Sequence, residues 1–248
     1  MLGLSTERIL DLFFPPKCHA CDGALGGTRQ RYLCSACTQK IRHIQPPFCS
    51  VCGLTTPSAG TICRPCLSEK FAFDRAFACV YYDEPVRRLM HDYKFGRLQS
   101  VSHFFGRLLC DFSRTHLFDS REVESARPEA VLGVPLDAPK MRWRGYCQSA
   151  LLAGHVGFEF GLRDLSTTLV RPTSARDQAR LARRQRLTNI KDCFRVSDPK
   201  RIAGKRLLLI DDIFTTGQTA SECARVLKNA GAASVWVLAC ARGDRKIR

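Results

Sequence analysis

Two adjacent carboxylates, Asp211 and Asp212, follow a continuous apolar run, Leu207-Leu208-Leu209-Ile210, and precede Thr215-Thr216-Gly217-Gln218-Thr219. Such a run fits a strand buried on both faces of a parallel sheet. Charges do not stay unpaired in a sheet interior, so the acids are expected to end the strand at its C-terminal edge. Open α/β sheets bind ligands at that edge. The hydroxyl-rich stretch then opens a helix reading Ala220-Ser221-Glu222-Cys223-Ala224-Arg225-Val226-Leu227. Gly217 lets the backbone approach a ligand, and the helix start supplies free N–H groups and a positive dipole end. Carboxylates for ribose hydroxyls beside a phosphate cradle point to a sugar phosphate. A Walker B strand also ends in acids, but it works with a GxxxxGK[ST] loop that the sequence lacks.

Thiols form the second constellation. Four CxxC pairs, Cys18/Cys21, Cys34/Cys37, Cys49/Cys52 and Cys63/Cys66, follow one another. A CxxC knuckle places two thiolates on one cation, and two knuckles complete a tetrahedral four-sulfur shell. Two tandem ribbons, each closing on one zinc ion, are the simplest arrangement, and crossed pairing satisfies the same spacing. Iron–sulfur clusters also use CxxC ligation. A thioredoxin-like role needs one CxxC on a βαβ frame, which is absent here. The segment is poor in long apolar runs, so metal must supply its folding free energy. His19 and His43 lie near these thiols, but eight cysteines already complete two shells, which leaves both as bystanders.

The elements that must position these residues can be read along the chain. Ser5 to Phe13 fits a short amphipathic helix stopped by Pro15-Pro16. The composition changes near Asp74, which divides the chain into residues 1–72, a short helix and cysteine module, and residues 73–248, an α/β domain with a mostly parallel sheet flanked by helices. Ala76 to Tyr82 reads as a strand, Pro85 to Lys94 as a helix with proline in its first turn, and Val101 to Phe112 as a further helix. Ala130 to Pro135 is a core strand running into a basic loop, Leu136 to Tyr146, with a helix after it from Ala150 to Phe158. This unit is a second anion site. Thr167 to Val170 and Ser234 to Cys240 read as further strands.

Between Arg171 and Lys191 lie Arg176, Arg180, Arg183, Arg184 and Arg186, answered only by Asp177. Like charges at this density repel, which predicts a segment that stays mobile until an anion arrives. A hood over phosphates, a nucleic-acid contact and an exposed basic helix all fit. The chain of 248 residues is 45% hydrophobic and 25% charged, ordinary for a soluble domain. Its net charge of +16 favours a polyanionic ligand or partner. No apolar run reaches the ~20 residues of a membrane span, so no membrane insertion is expected. Ile9-Leu10-Asp11-Leu12-Phe13-Phe14 is too short and acid-interrupted for a signal peptide. A cytoplasmic location is therefore the expectation, and there the 14 cysteines read as metal ligands or buried small hydrophobes rather than disulfides.

LLLIDDIFTTGQT closely resembles the phosphoribosyl-pyrophosphate (PRPP) motif of type I phosphoribosyltransferases, and the basic loop with Arg144-Gly145 resembles their pyrophosphate loop. With VPLDAPKMRWRGYCQSALLA, RPTSARDQARLARRQRLTNIKDCF and the paired CxxC ribbons, nearly the whole chain is similar to the ComF family. That family typically shows RGFNQ in its first loop, where Arg144-Gly145-Tyr146-Cys147-Gln148 has cysteine in place of asparagine. Gln178, Arg186, Asn189 and Phe194 fit its middle block. The resemblance implies a type I phosphoribosyltransferase-like sheet behind a double zinc ribbon, with structural zinc and with magnesium accompanying PRPP. It implies that Asp211 and Asp212 act as the catalytic pair holding the ribose hydroxyls, that Thr215, Thr216, Gly217, Gln218 and Thr219 hold the 5′-phosphate, and that Arg144 and Gly145 hold pyrophosphate. It further implies a role in natural competence, with single-stranded DNA and recombination or DNA-uptake proteins as partners. An active transferase of unknown acceptor, a PRPP-sensing module without turnover and a single-strand binder are the functional alternatives.

Overall fold

Leu207, Leu208, Leu209 and Ile210 are completely buried because parallel strands flank them within the sheet and helices cover both its faces. The computed structural model describes residues 16–25, 32–118, 126–172 and 192–243. Its strands are β1 (Arg75–Tyr81), β2 (Ala130–Gly133), β3 (Arg163–Asp164), β4 (Leu169–Val170), β5 (Arg195–Val196), β6 (Arg206–Phe214) and β7 (Ser234–Arg242). The main sheet has the order β1-β7-β6-β2-β3, with every neighbouring pair parallel. β4 and β5 form a separate antiparallel pair.

The helices are α1 (Ser35–Gln39), α2 (Arg64–Ser68), α3 (Val86–Phe95), α4 (Ser102–Ser113), α5 (Ala138–Arg144), α6 (Gln148–Phe160) and α7 (Gln218–Asn229). Successive strand residues point to opposite faces, so β6 feeds two cores. Leu208 and Ile210 pack with Leu89, Met90, Phe105, Leu109, Leu152 and Val156 of α3, α4 and α6. Leu207 and Leu209 pack with Ala220, Cys223, Ala224 and Leu227 of α7. Among the described residues no helix is long and apolar enough to cross a membrane.

Two expectations need correction. The stretch predicted as a basic loop contains α5: Asp137 caps it by accepting from Lys140 N at 2.9 Å, Pro139 sits in its first turn, and Gly145 ends it at φ 84. The acids also do not end their strand, because β6 runs on through Asp211 and Asp212 to Phe214, with Asp211, Ile213 and Phe214 still in register with β7. The helix expected from Ser5 to Phe13 lies outside the described residues.

The cysteine module is built onto the sheet. Residues between its two halves cover the outer edge of β1: Ile44 N donates to Cys79 O at 2.9 Å and Tyr81 N to Arg42 O at 3.0 Å. An open strand edge is a template for aggregation, and this cover removes it. Cys18, Leu25, Leu33 and Cys37 share the core under α3 and α4. Ile44, Cys49, Cys52 and Cys66 share the core under α7.

Candidate functional site

The carboxylates become reachable because β2 is short. Gly133 is the last β2 residue in register with β6, opposite Ile210, and Val134 N makes one further bond to Ile210 O at 2.9 Å. Beyond that point β6 keeps β7 on one side and opens on the other. Asp211 and Asp212 are partly buried in this opening. Strand alternation turns Asp211 toward α7 and Asp212 toward α3. Asp212 Oδ1 accepts from Lys94 Nζ at 2.8 Å, with the two side chains only 16% and 19% exposed. Asp212 N donates to Asp211 Oδ1 at 2.9 Å. Burial and the adjacent Asp212 charge push the Asp211 carboxyl up to about 7, with Lys94 opposing the rise. A carboxylate pair under this tension favours a ligand that brings hydroxyl donors or positive charge.

The hydroxyl-rich loop lies at the end of the same strand. α7 begins at Gln218, two residues earlier than predicted, with Gly217 as its N-cap and Gln218 N donating to Thr216 Oγ1 at 3.4 Å. Gly217 adopts φ 80, and a Cβ there would sit 2.8 Å from Phe214 Cζ and 3.1 Å from Phe71 Cε1. Only glycine fits that turn. Thr215, Thr216, Gly217, Gln218 and Thr219 thus bring backbone N–H groups and hydroxyls to the helix start beside the two acids, a suitable setting for a phosphate.

The loop expected from sequence to be a second anion site lies between α5 and α6. Gly133 allows a close approach, since a Cβ there would lie 2.5 Å from Ala150 N. Arg144 is 6% exposed, its guanidinium lies 5.5 Å over Phe95, and its buried Nε has no hydrogen-bond partner. Gln148 is 2% exposed and its Nε2 is likewise buried without a partner. Two orphaned donors behind one loop are costly unless an acceptor arrives. Cys147, which stands where the family has asparagine, turns its Sγ toward Val134 O at 3.6 Å.

The last turn of α3 joins these parts and was not singled out from sequence. Tyr93 Oη donates to Gln148 O at 3.0 Å, Lys94 pairs with Asp212, and Phe95 lies under Arg144. Lys94 is separated from Asp212 by 118 positions, so local spacing carries no sign of the pair. His19, expected to be a bystander, pairs through Nδ1 with Asp92 Oδ2 of the same helix at 2.8 Å. Arg176, Arg180, Arg183, Arg184 and Arg186 lie outside the described residues. Beside that stretch, Arg171 Nη1 lies 3.9 Å from Asp137 Oδ2. On its far side, Asp192 N donates to Glu222 Oε1 at 2.6 Å.

The thiols gather in tandem. Cys18, Cys21, Cys34 and Cys37 form one cluster and Cys49, Cys52, Cys63 and Cys66 the other, with all sulfurs of a cluster within 4.8 Å of one another. Cys21 and Cys34 sulfurs are 3.8 Å apart, and those of Cys52 and Cys63 are 3.6 Å apart. Tetrahedral Zn–S bonds of ~2.3 Å require sulfurs about 3.8 Å apart, so both clusters fit a structural zinc ion. Each repeats one detail: Cys34 N donates to Cys18 Sγ and Cys63 N to Cys49 Sγ, both at 3.3 Å. The second cluster touches the sheet directly, since Arg242 donates to Cys52 O at 2.7 Å and to Cys52 Sγ at 3.2 Å.

A model of the double zinc ribbon domain matches residues 9–71, and one of the phosphoribosyl transferase domain matches residues 148–247. The chain is 30% identical over 205 residues to the DNA utilization protein YhgH of Salmonella typhimurium, covering 83% of this chain and 88% of that protein. It is 28% identical over 235 residues to competence protein F of Haemophilus influenzae, covering 93% and 98%. It is 24% identical over 209 residues to competence protein ComFC of Bacillus subtilis, covering 82% and 80%.

Proposed function

The chain belongs to the ComF family, and from that premise we propose that it binds PRPP and serves natural competence or DNA utilization, the roles for which its relatives are named. The observation that supports PRPP most is the meeting of the partly buried Asp211–Asp212 pair with the glycine-capped start of α7 and the orphaned donors of Arg144 and Gln148. Asp211 and Asp212 accept from the ribose 2′ and 3′ hydroxyls. Residues Thr215 to Thr219 hold the 5′-phosphate, and Arg144, Gly145 and Gln148 hold pyrophosphate, Arg144 through a planar fork suited to two oxygens. Magnesium bound with PRPP would supply charge neutralisation on the pyrophosphate.

If the site turns over, the C1–oxygen bond to pyrophosphate breaks and the sugar gains oxocarbenium character. Asp211 and Asp212 favour that positive charge, and a nitrogen nucleophile attacks C1. Lys94 holds Asp212 in place before the ligand arrives. In this reading residues 1–72 are the zinc-ribbon module and 73–248 the phosphoribosyltransferase-like domain of a cytoplasmic protein that handles single-stranded DNA with recombination or DNA-uptake proteins.

Thermal melting with PRPP and Mg²⁺, against ribose 5-phosphate and pyrophosphate separately, tests the reading. PRPP should stabilise more than either part. A larger shift with pyrophosphate alone would contradict the ribose assignment. Pyrophosphate release with candidate acceptors then separates a transferase from a binding module.

A further inference from the structure

The chain has two tryptophans. Trp236 is 5% exposed in the core, whereas Trp143 is 48% exposed on α5. Beside it Phe95, at the end of α3, is 52% exposed, with ring centroids 6.0 Å apart. Met141 is 42% exposed on the same short helix. Burial in water's absence would favour these side chains by ~1.5–3 kcal/mol each, so their exposure calls for an occupant.

The setting of the two rings says which occupant. The Arg97 guanidinium lies 5.8 Å over Trp143 and donates from Nη2 to Trp143 O at 2.8 Å. Arg97 holds that position at φ 54, a conformation costly for a residue with a side chain. From the buried side the Arg144 guanidinium lies 5.5 Å over Phe95. Arg142 and Lys140 are exposed on the same helix. Among the described residues the acids nearby are engaged: Asp92 with His19 and Asp137 with Lys140. Exposed rings interleaved with guanidiniums, on a chain of net charge +16, match a ligand with flat apolar faces strung on a polyanion.

We propose that Phe95 and Trp143 form a stacking platform for the bases of single-stranded nucleic acid, with Arg97 and Arg142 taking its phosphates. Duplex bases are already stacked on one another and offer these rings nothing, so the platform selects single strands. This deepens the single-strand part of the functional reading, and it does not depend on the carboxylate pair.

Both tryptophans emit, but because Trp236 is buried a change in their emission on strand binding reports Trp143. Titration with oligo(dT) at low salt should quench it saturably, while a duplex of equal length should not. Phe95→Leu and Trp143→Ala, followed by anisotropy of a labelled strand, should each weaken binding about tenfold or more, as expected for loss of one stacked base. Unchanged zinc content and circular dichroism establish that the variants fold. Arg97→Ala should lower the log–log salt slope by about 0.7. Wild-type affinity in both ring variants, equal binding of duplex, or quenching by anionic phospholipid vesicles in place of oligo(dT) would overturn the platform. PRPP binding in the Trp143→Ala variant should persist, so failure here leaves the sugar-phosphate reading standing.

Discussion

Replacing Asp211 by asparagine should make the protein more stable at neutral pH. Burial and the Asp212 charge raise the Asp211 carboxyl from its ordinary 3.8 to about 7. At 1.36 kcal/mol per unit, that shift of about 3 units is worth roughly 4 kcal/mol. The sign follows from proton binding. Between about pH 4 and 7 the native protein holds a proton that the unfolded chain has lost, so stability falls as pH rises through that window. Asparagine cannot ionise and escapes the penalty. The stability difference, variant minus wild type, should therefore grow across the window and level off above about pH 7. For a chain of this size 1 kcal/mol moves Tm by about 2–4 °C, so the gap opened between the two ends should approach ten degrees. Melting both proteins, zinc-replete, from pH 4 to 8 measures it. Burial lowers the His116 and His155 pKa values, which makes stability fall toward acid, but both histidines are present in each protein and their effect cancels. Parallel pH profiles for the two proteins would refute the account of Asp211.

The adjacent acid should behave in the opposite way: Asp212→Asn leaves the Lys94 ammonium, 19% exposed, without its carboxylate, and should lower stability by about 2 kcal/mol, regained when Lys94→Met is added. Gly217→Ala forces a Cβ to 2.8 Å from the Phe214 ring at φ 80, and should lower stability by about 2 kcal/mol and abolish PRPP binding as read by equilibrium dialysis. Elemental analysis should find about two zinc ions per chain, and a brown iron-containing protein would contradict that. Arg242→Met removes the donors to Cys52, so one of the two ions should be lost to a chelator at about 10- to 100-fold lower chelator concentration than the other.

The parts legible in the sequence were those with local signals. The Leu207–Ile210 run predicted the central strand, the CxxC spacing predicted the metal clusters, and the glycine of the Thr-Thr-Gly turn sits at a positive φ that requires it. Where the acids lie depended on something non-local: β2 ends at Gly133, so β6 can carry Asp211 and Asp212 within the strand and still expose them. α5 did have a local signal, the Asp137 cap and Pro139, which the surrounding basic residues obscured. The pairing of Lys94 with Asp212, of Tyr93 with Gln148 and of Arg242 with Cys52 joins residues 55 to 190 positions apart, and only the packed fold reveals it. Tandem rather than crossed cysteine pairing belongs to the same class, since both satisfy the spacing and only three-dimensional proximity selects one.

The central claim is that the acids at the open edge of β6 hold the ribose of PRPP. Calorimetric titration of PRPP with Mg²⁺ into the wild-type chain and into Asp211→Asn/Asp212→Asn tests it most directly, with zinc content and circular dichroism confirming that both are folded. The account predicts saturable binding of one PRPP per wild-type chain and no measurable heat with the double variant. Equal affinity in the two proteins would contradict it.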